Sequence, residues 1–256
     1  MASILDKYGI KEVADVTFYT IDKNTAKPKL PVLYLDTLKV STIEQTAENV
    51  EARGGKGNVA LVSWDYGKEI NVTLEDALFS AKSMALMFGN GNATSTSISL
   101  IRTVEWKAEG TGDASTAKKP STYKIGDKEY TLPSDALDYA EDASADDSSQ
   151  AVTSYVTGKR YFSVFNVNAV NAGVIEISAS TFPGTYYVTG DTFARSAITG
   201  EDEFFQFIIP KAKVAAENTI TLEAEGDPSV FNLSLRVLRP DDGVMMKLVK
   251  YEMPNS

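Results

Sequence analysis

Residues 51–88 read EARGGKGNVALVSWDYGKEINVTLEDALFSAKSMALMF, and three signals follow one another along them. Gly54, Gly55 and Gly57 crowd into four positions of Arg53-Gly54-Gly55-Lys56-Gly57-Asn58, which makes an exposed turn. Past the turn, Leu61, Ser63 and Asp65 alternate with Val62, Trp64 and Tyr66, and alternation resumes over Ile70-Asn71-Val72-Thr73-Leu74 after Gly67. That period of two belongs to strands, and a long hairpin pair is the simplest reading. At Thr73 the period changes. Thr73-Leu74-Glu75-Asp76 fits a capping box, and Leu74, Ala77, Leu78, Ala81, Met84, Ala85 and Phe88 follow helical spacing up to Gly89. The expectation is one helix over about 73–88, with Glu75 and Asp76 in its first turn facing the positive end of the helix dipole.

On the N-terminal side, Val13–Tyr19 and Pro31–Val40 are rich in β-branched and aromatic residues and read as strands around the polar run Asp22–Pro28. Thr42–Glu51 shows no clean period. On the C-terminal side, strands are expected over Ser97–Trp106, Tyr161–Val167, Gly173–Ser180, Thr185–Val188, Phe204–Ile209, Thr219–Ala224 and Phe231–Leu238. Between Ser134 and Gln150 stand Asp135, Asp138, Glu141, Asp142, Asp146 and Asp147 with no basic residue. Lacking an apolar face, this run reads as a flexible or weakly helical surface insertion outside the core. The fold class is mostly β, a β-sandwich or half-barrel with one flanking α-helix (about 73–88) and an acidic insertion. The division expected is 1–106 with 160–256 as the sandwich and 107–159 as an insertion or outer subdomain.

Composition narrows the chemistry. The chain has no cysteine and no histidine in 256 residues, which removes disulfides, thiolate metal sites, cysteine nucleophiles and the usual proton shuttle. A carboxylate-only mechanism, a Ser-Lys arrangement or an oxygen-ligand metal site stays open. A formal net charge of −10 opposes any sequence-independent grip on nucleic-acid phosphates, whereas an acidic wall lets DNA slide past. The first residues, Met1-Ala2-Ser3-Ile4-Leu5-Asp6-Lys7, lack the basic start and apolar run of a signal peptide, and no apolar stretch approaches a membrane span. A soluble protein made in the cytoplasm is expected.

Candidate sites have plainer uses. Asp241-Asp242 before Gly243, and Glu223, Glu225 and Asp227 near Pro228, resemble metal ligands or an acid–base pair, yet Asp beside Pro and Gly forms turns by accepting bonds from its own backbone. Gly54-Gly55-Lys56-Gly57 lacks the strand, helix and following Ser or Thr of a phosphate cradle. Phe204, Phe205 and Phe207 alternate within a strand and suit core packing better than a sugar or base platform. No catalytic residue, cofactor or metal is expected.

Taken in order, Leu33-Tyr34-Leu35-Asp36-Thr37-Leu38-Lys39-Val40, then Glu51–Asn58, then Asp65-Tyr66-Gly67-Lys68-Glu69 running into Thr73–Ser80 resemble a tail tube protein of long-tailed bacteriophages. Phe207-Ile208-Ile209-Pro210-Lys211, Gly226-Asp227-Pro228 and Leu238-Arg239-Pro240-Asp241-Asp242-Gly243 are similar to the C-terminal part of such proteins. The resemblance covers residues 30 to 90 and 203 to 252. It implies a non-enzymatic virion subunit that closes into hexameric rings stacked around a DNA-conducting lumen. Sheath, baseplate and tail-terminator proteins are further implied partners, with no membrane contact. It also implies that Arg53, Gly54, Gly55, Lys56, Gly57 and Asn58 reach the neighbouring ring, Arg53 and Lys56 pairing with acidic neighbours. The competing readings are a capsid decoration or neck/tail-completion protein and, in a different class, a carbohydrate-binding module or a carboxylate-based glycosidase.

Overall fold

The computed structural model describes residues 7–10, 12–89, 94–143, 151–217 and 230–252. Its elements run β1 Tyr8–Ile10, β2 Asp15–Ile21, β3 Pro28–Leu35, β4 Leu38–Gly54, β5 Val59–Asp76, α1 Ala81–Met87, β6 Thr94–Lys107, β7 Thr122–Ile125, β8 Lys128–Thr131, β9 Leu137–Ala140, β10 Arg160–Val174, β11 Thr185–Ser196, β12 Asp202–Val214, β13 Phe231–Val237 and β14 Lys247–Tyr251. The chain packs as two compact units, Met1–Ala93 with Val174–Ser256, and Thr94–Gly173. The inserted unit takes in β6 and nearly all of β10, because these strands lie side by side in one sheet with β9. It therefore reaches beyond 107–159 at both ends.

In the first unit an antiparallel sheet follows the path β3-β2-β11-β12-β13-β5-β4, with β1 on β11 and β14 on β12. Its end strands, β3 and β4, are consecutive in sequence and joined only by Asp36 and Thr37. A flat sheet would hold them roughly 29 Å apart, six spacings of about 4.8 Å. Three virtual bonds from Leu35 to Leu38 span at most about 11 Å. The sheet must therefore curl until its ends meet, in keeping with the mostly-β sandwich or half-barrel expected. The corner is tied down where the Ala77 N–H donates to the Thr37 carbonyl at 3.1 Å and the Thr37 hydroxyl donates to Asp76 at 2.5 Å.

The interior is filled by the inward alternates of each strand. Val16 and Phe18 of β2, Ile70, Val72 and Leu74 of β5, Val188 of β11, Ile209 of β12 and Leu233 and Leu235 of β13 form one buried cluster. Register follows from this, since a slip of one residue would turn each set to solvent. Gly190 is required by the packing: a Cβ there would lie 2.1 Å from the Phe207 ring, which covers it from the paired position on β12.

Several expectations need correction. The helix starts at Ala81, not near 73, and Ser80 caps it: the Ser83 N–H donates to Ser80 Oγ at 3.0 Å and the Ser80 N–H to Ser83 Oγ at 2.9 Å. Thr73–Asp76 is the end of β5, where Leu74 is buried and paired with Leu233 of β13. The competing alternation of Ile70, Val72 and Leu74 wins because both strands bury their apolar sets there. Pro31–Val40 breaks at Asp36 into two strands at opposite ends of the sheet path. Thr42–Glu51, without a readable period, lies within β4. The alternation interrupted at Gly67, where φ is +62°, resumes within one strand, because β5 continues there through a bulge. Most of Gly173–Ser180 is irregular, and β10 ends at Val174. Thr219–Ala224 lies outside the described residues.

The acidic run is corrected in part. Leu137–Ala140 is a strand paired with β10, and Asp138 is buried in the second unit; residues 144–150 lie outside the described residues. No helix among the described residues is long and apolar enough to cross a membrane.

Candidate assembly surfaces

Two surfaces of the first unit stand out because they expose what a monomer would ordinarily bury. The first is the hairpin of β4 and β5. Beyond Gln45↔Ile70, the last pair with a buried member, its ladder continues to Gly54↔Val59. Nine further residues of β4 rising ~3.3 Å each make an arm of about 30 Å. The register places Val50 opposite Trp64, Ala52 opposite Val62 and Glu48 opposite Tyr66. Opposed residues share a face, so one side of the arm is apolar, and the other carries Asn49, Glu51, Ser63 and Asp65. Val50 is 51% exposed, Val62 48%, Trp64 56% and Tyr66 51%. Isolated surface apolar residues are ordinary, but a contiguous stripe that includes a half-exposed tryptophan marks a contact surface.

The expected loop residues form the arm's end. Gly55 and Gly57 adopt φ of +75° and +88°, Asn58 +49°, and the Asn58 N–H donates to the Gly55 carbonyl at 3.2 Å. Glycine takes such angles without strain and asparagine tolerates them, which explains the composition of the tip. Lys56 stands exposed between them. Arg53 pairs within its own strand, with Nε and a terminal nitrogen 2.8 and 2.6 Å from Glu51. Both groups are open to solvent, so this pair contributes little to stability.

The second surface is a groove of about 390 Å³ at the foot of the arm. Val40 and Ile43 of β4, Ile10 and Val13 near the N-terminus, Phe205 of β12 and Leu248 of β14 supply its apolar lining, and Glu12 and Lys39 its charges. Strands β1 and β14 are latched beside it. Lys250 of β14 forms an ion pair with Glu203, donates to the Tyr8 hydroxyl at 2.8 Å, and stands 4.9 Å from the Tyr8 ring centre. These partners hold the Lys250 ammonium above its ordinary pKa, with the Glu203 hydrogen bond the larger cause. The groove drew no attention in the sequence, because its lining comes from five separated segments.

The carboxylates singled out earlier behave as turn formers. The Val244 N–H donates to Asp242 at 3.1 Å and the Gly243 N–H to the Pro240 carbonyl at 3.0 Å. Similarly, Asp22 accepts from the Asn24 and Thr25 N–H groups at 2.9 and 3.0 Å, which hold its carboxyl below the usual range. Glu223, Glu225 and Asp227 lie outside the described residues, among which no group of three or more acidic side chains is placed to hold a metal ion. Phe207 is in the core; Phe204 packs on Phe193 and Tyr251, and Phe205 on Tyr8.

The second unit contains a polar cluster that sequence reading missed. Trp106 Nε1 donates to Ser163 Oγ at 2.9 Å, and Ser163 donates to Asp138 at 2.5 Å. Asp138 also accepts from the Tyr155 hydroxyl and pairs with Lys119 Nζ at 2.8 Å. A serine, a carboxylate and a lysine invite a nucleophile reading, but Ser163 is 0% and Asp138 3% exposed. No substrate reaches them, and the cluster acts as a satisfied polar core. Burial, then the Asp138 hydrogen bond, push the Tyr155 hydroxyl up from its ordinary pKa.

A curled antiparallel sheet bearing a projecting apolar arm and an apolar groove presents two surfaces suited to meeting other proteins. The model of the YomU/Tube protein family matches residues 8–250, nearly the whole chain, and the protein belongs to that family. It is thereby a phage tube-type structural protein, a component of the virion tail that self-associates. A comparison with curated proteins finds no match.

Proposed function

We propose that the protein is a tail tube subunit whose copies close into hexameric rings, and that the rings stack around a lumen through which DNA passes without specific binding. It works as a scaffold and not as an enzyme. The observation that carries the reading is the β4–β5 arm: about 30 Å of hydrogen-bonded ribbon with an apolar face, far more than the subunit's own core uses. Family membership supplies the assembly in which such an arm has a purpose. Its tip, Arg53 to Asn58, is assigned to the neighbouring ring. Lys56 is the cation best placed to meet an acidic neighbour, while Arg53 first has to leave Glu51.

The net charge of −10 agrees with a conduit that repels phosphates. Repetition of one weak contact around and along a tube supplies stability that no single pair needs to have. Negative-stain electron microscopy of the purified protein over a concentration series tests the reading. Hollow tubes or stacked six-fold rings are expected, and particles that stay monomeric throughout would turn the assignment toward a decoration protein or a ligand-binding module.

A further inference from the structure

We propose that the apolar face of one copy's arm, Val50, Val62, Trp64 and Tyr66, beds in the groove at the foot of a second copy's arm, against Val13, Val40, Ile43, Phe205 and Leu248. The inference rests on the tube reading and names the surface that receives the arm.

The geometry of one strand excludes the alternative within a single chain. Val40 and Ile43 of the groove and Val50 of the arm all belong to β4, whose ladder to β5 runs from Leu38 to Gly54. Seven residues of extended chain hold Val50 about 23 Å from Ile43. Bringing the arm face back to its own groove would require reversing a paired two-stranded ribbon on itself, breaking the ladder that defines it. The groove's occupant must come from elsewhere, and a second copy is the one partner that any assembly of this protein supplies.

The chemistry of the two surfaces agrees. Both are apolar with sparse charge. The groove rim carries one cation, Lys39, and one anion, Glu12, while the arm offers Glu48 on its apolar face and Lys56 at its tip, so each can meet an opposite sign. The size agrees too. Two half-exposed aromatic and two half-exposed valine side chains supply on the order of 300–400 Å², below the ~800 Å² per partner of a stable pair. One arm in one groove is therefore weak, and closure or stacking of many copies makes it persist. Because arm and groove are different patches, the contact is heterologous and propagates from copy to copy instead of ending in a two-fold dimer.

The absence of cysteine from the chain makes the test clean. Val62→Cys and Leu248→Cys, both at exposed positions, are mixed as separately purified proteins, assembled, and oxidised. The expected product is the mixed disulfide, in excess over either self-linked dimer, and the double variant alone should yield a ladder of covalent multimers. Trp64→Glu, at an exposed position, should raise the concentration of half-assembly by about tenfold or more. Rings or tubes that form normally but give no Val62–Leu248 cross-link would overturn the docking and leave the tube reading standing. Wild-type protein that never assembles would overturn both.

Discussion

Replacing Asp138 by alanine would leave the Lys119 ammonium, only 16% exposed, without its anion and strip Ser163 and Tyr155 of their acceptor. Unpairing a buried charge commonly costs about 3–5 kcal/mol, so Asp138→Ala should destabilise the second unit by about 3 kcal/mol or more. Thermal unfolding followed by Trp106 fluorescence in a Trp64→Phe background reads this unit selectively, since Trp64 and Trp106 are the two tryptophans present. An unchanged transition would show the cluster to be dispensable. Tyr155 supplies a pH dependence. Its hydroxyl is held neutral in the fold by burial and by Asp138, so its pKa is raised above the unfolded value of about 10. A raised folded pKa contributes stability that is fully present below pH of about 10 and lost as pH rises beyond it. Alkaline titration should therefore loosen the second unit, and Tyr155→Phe should flatten that dependence. None of this was legible in the sequence. Asp138 sits in a run of acids that reads as solvated surface, and its partners lie 19 residues before it and 17 and 25 after it. Local pattern carries no trace of a pairing made by tertiary contact.

At the scale of elements, the turn at Gly54–Asn58 and the strand that follows it were readable because glycine at positive φ and a period of two are local properties. The helix was readable in existence but not in extent. Thr73-x-x-Asp76 and Ser80-x-x-Ser83 both resemble capping boxes, and pairing with β13 on one side and β4 on the other decides against the first. Ser80→Ala should accordingly lower the stability of the first unit by about 1 kcal/mol, whereas Thr73→Ala should lack a capping effect. Chemical denaturation of the two variants side by side measures the contrast; equal losses would return the cap to Thr73. The strand from Thr42 to Glu51 escaped notice for a physical reason. Most of it lies in the arm, where neither face is packed against the subunit's own core, so selection for a buried alternate is weak and the period fades. The same exposure that hid the element marks it as a surface for another molecule.

For the whole molecule, the curl of the first unit follows from a two-residue link between the end strands of a seven-strand path, and the resemblance to a tail tube protein agrees with the family found over residues 8–250. The groove could not be read beforehand because it exists only once the curl brings both termini, β4 and β12 together. On the tube reading this subunit assembles through its arm. Sedimentation velocity across a concentration series, comparing the wild type with a variant in which residues 48–66 are replaced by a two-residue Asn-Gly turn, addresses it directly. The shortened hairpin keeps the buried pairs from Gln45↔Ile70 down to the corner, so it should fold and unfold as the parent does. The wild type should sediment as large, concentration-dependent species and the shortened variant as a folded monomer. A wild type that remains monomeric, or a shortened variant that polymerises equally well, would contradict the account.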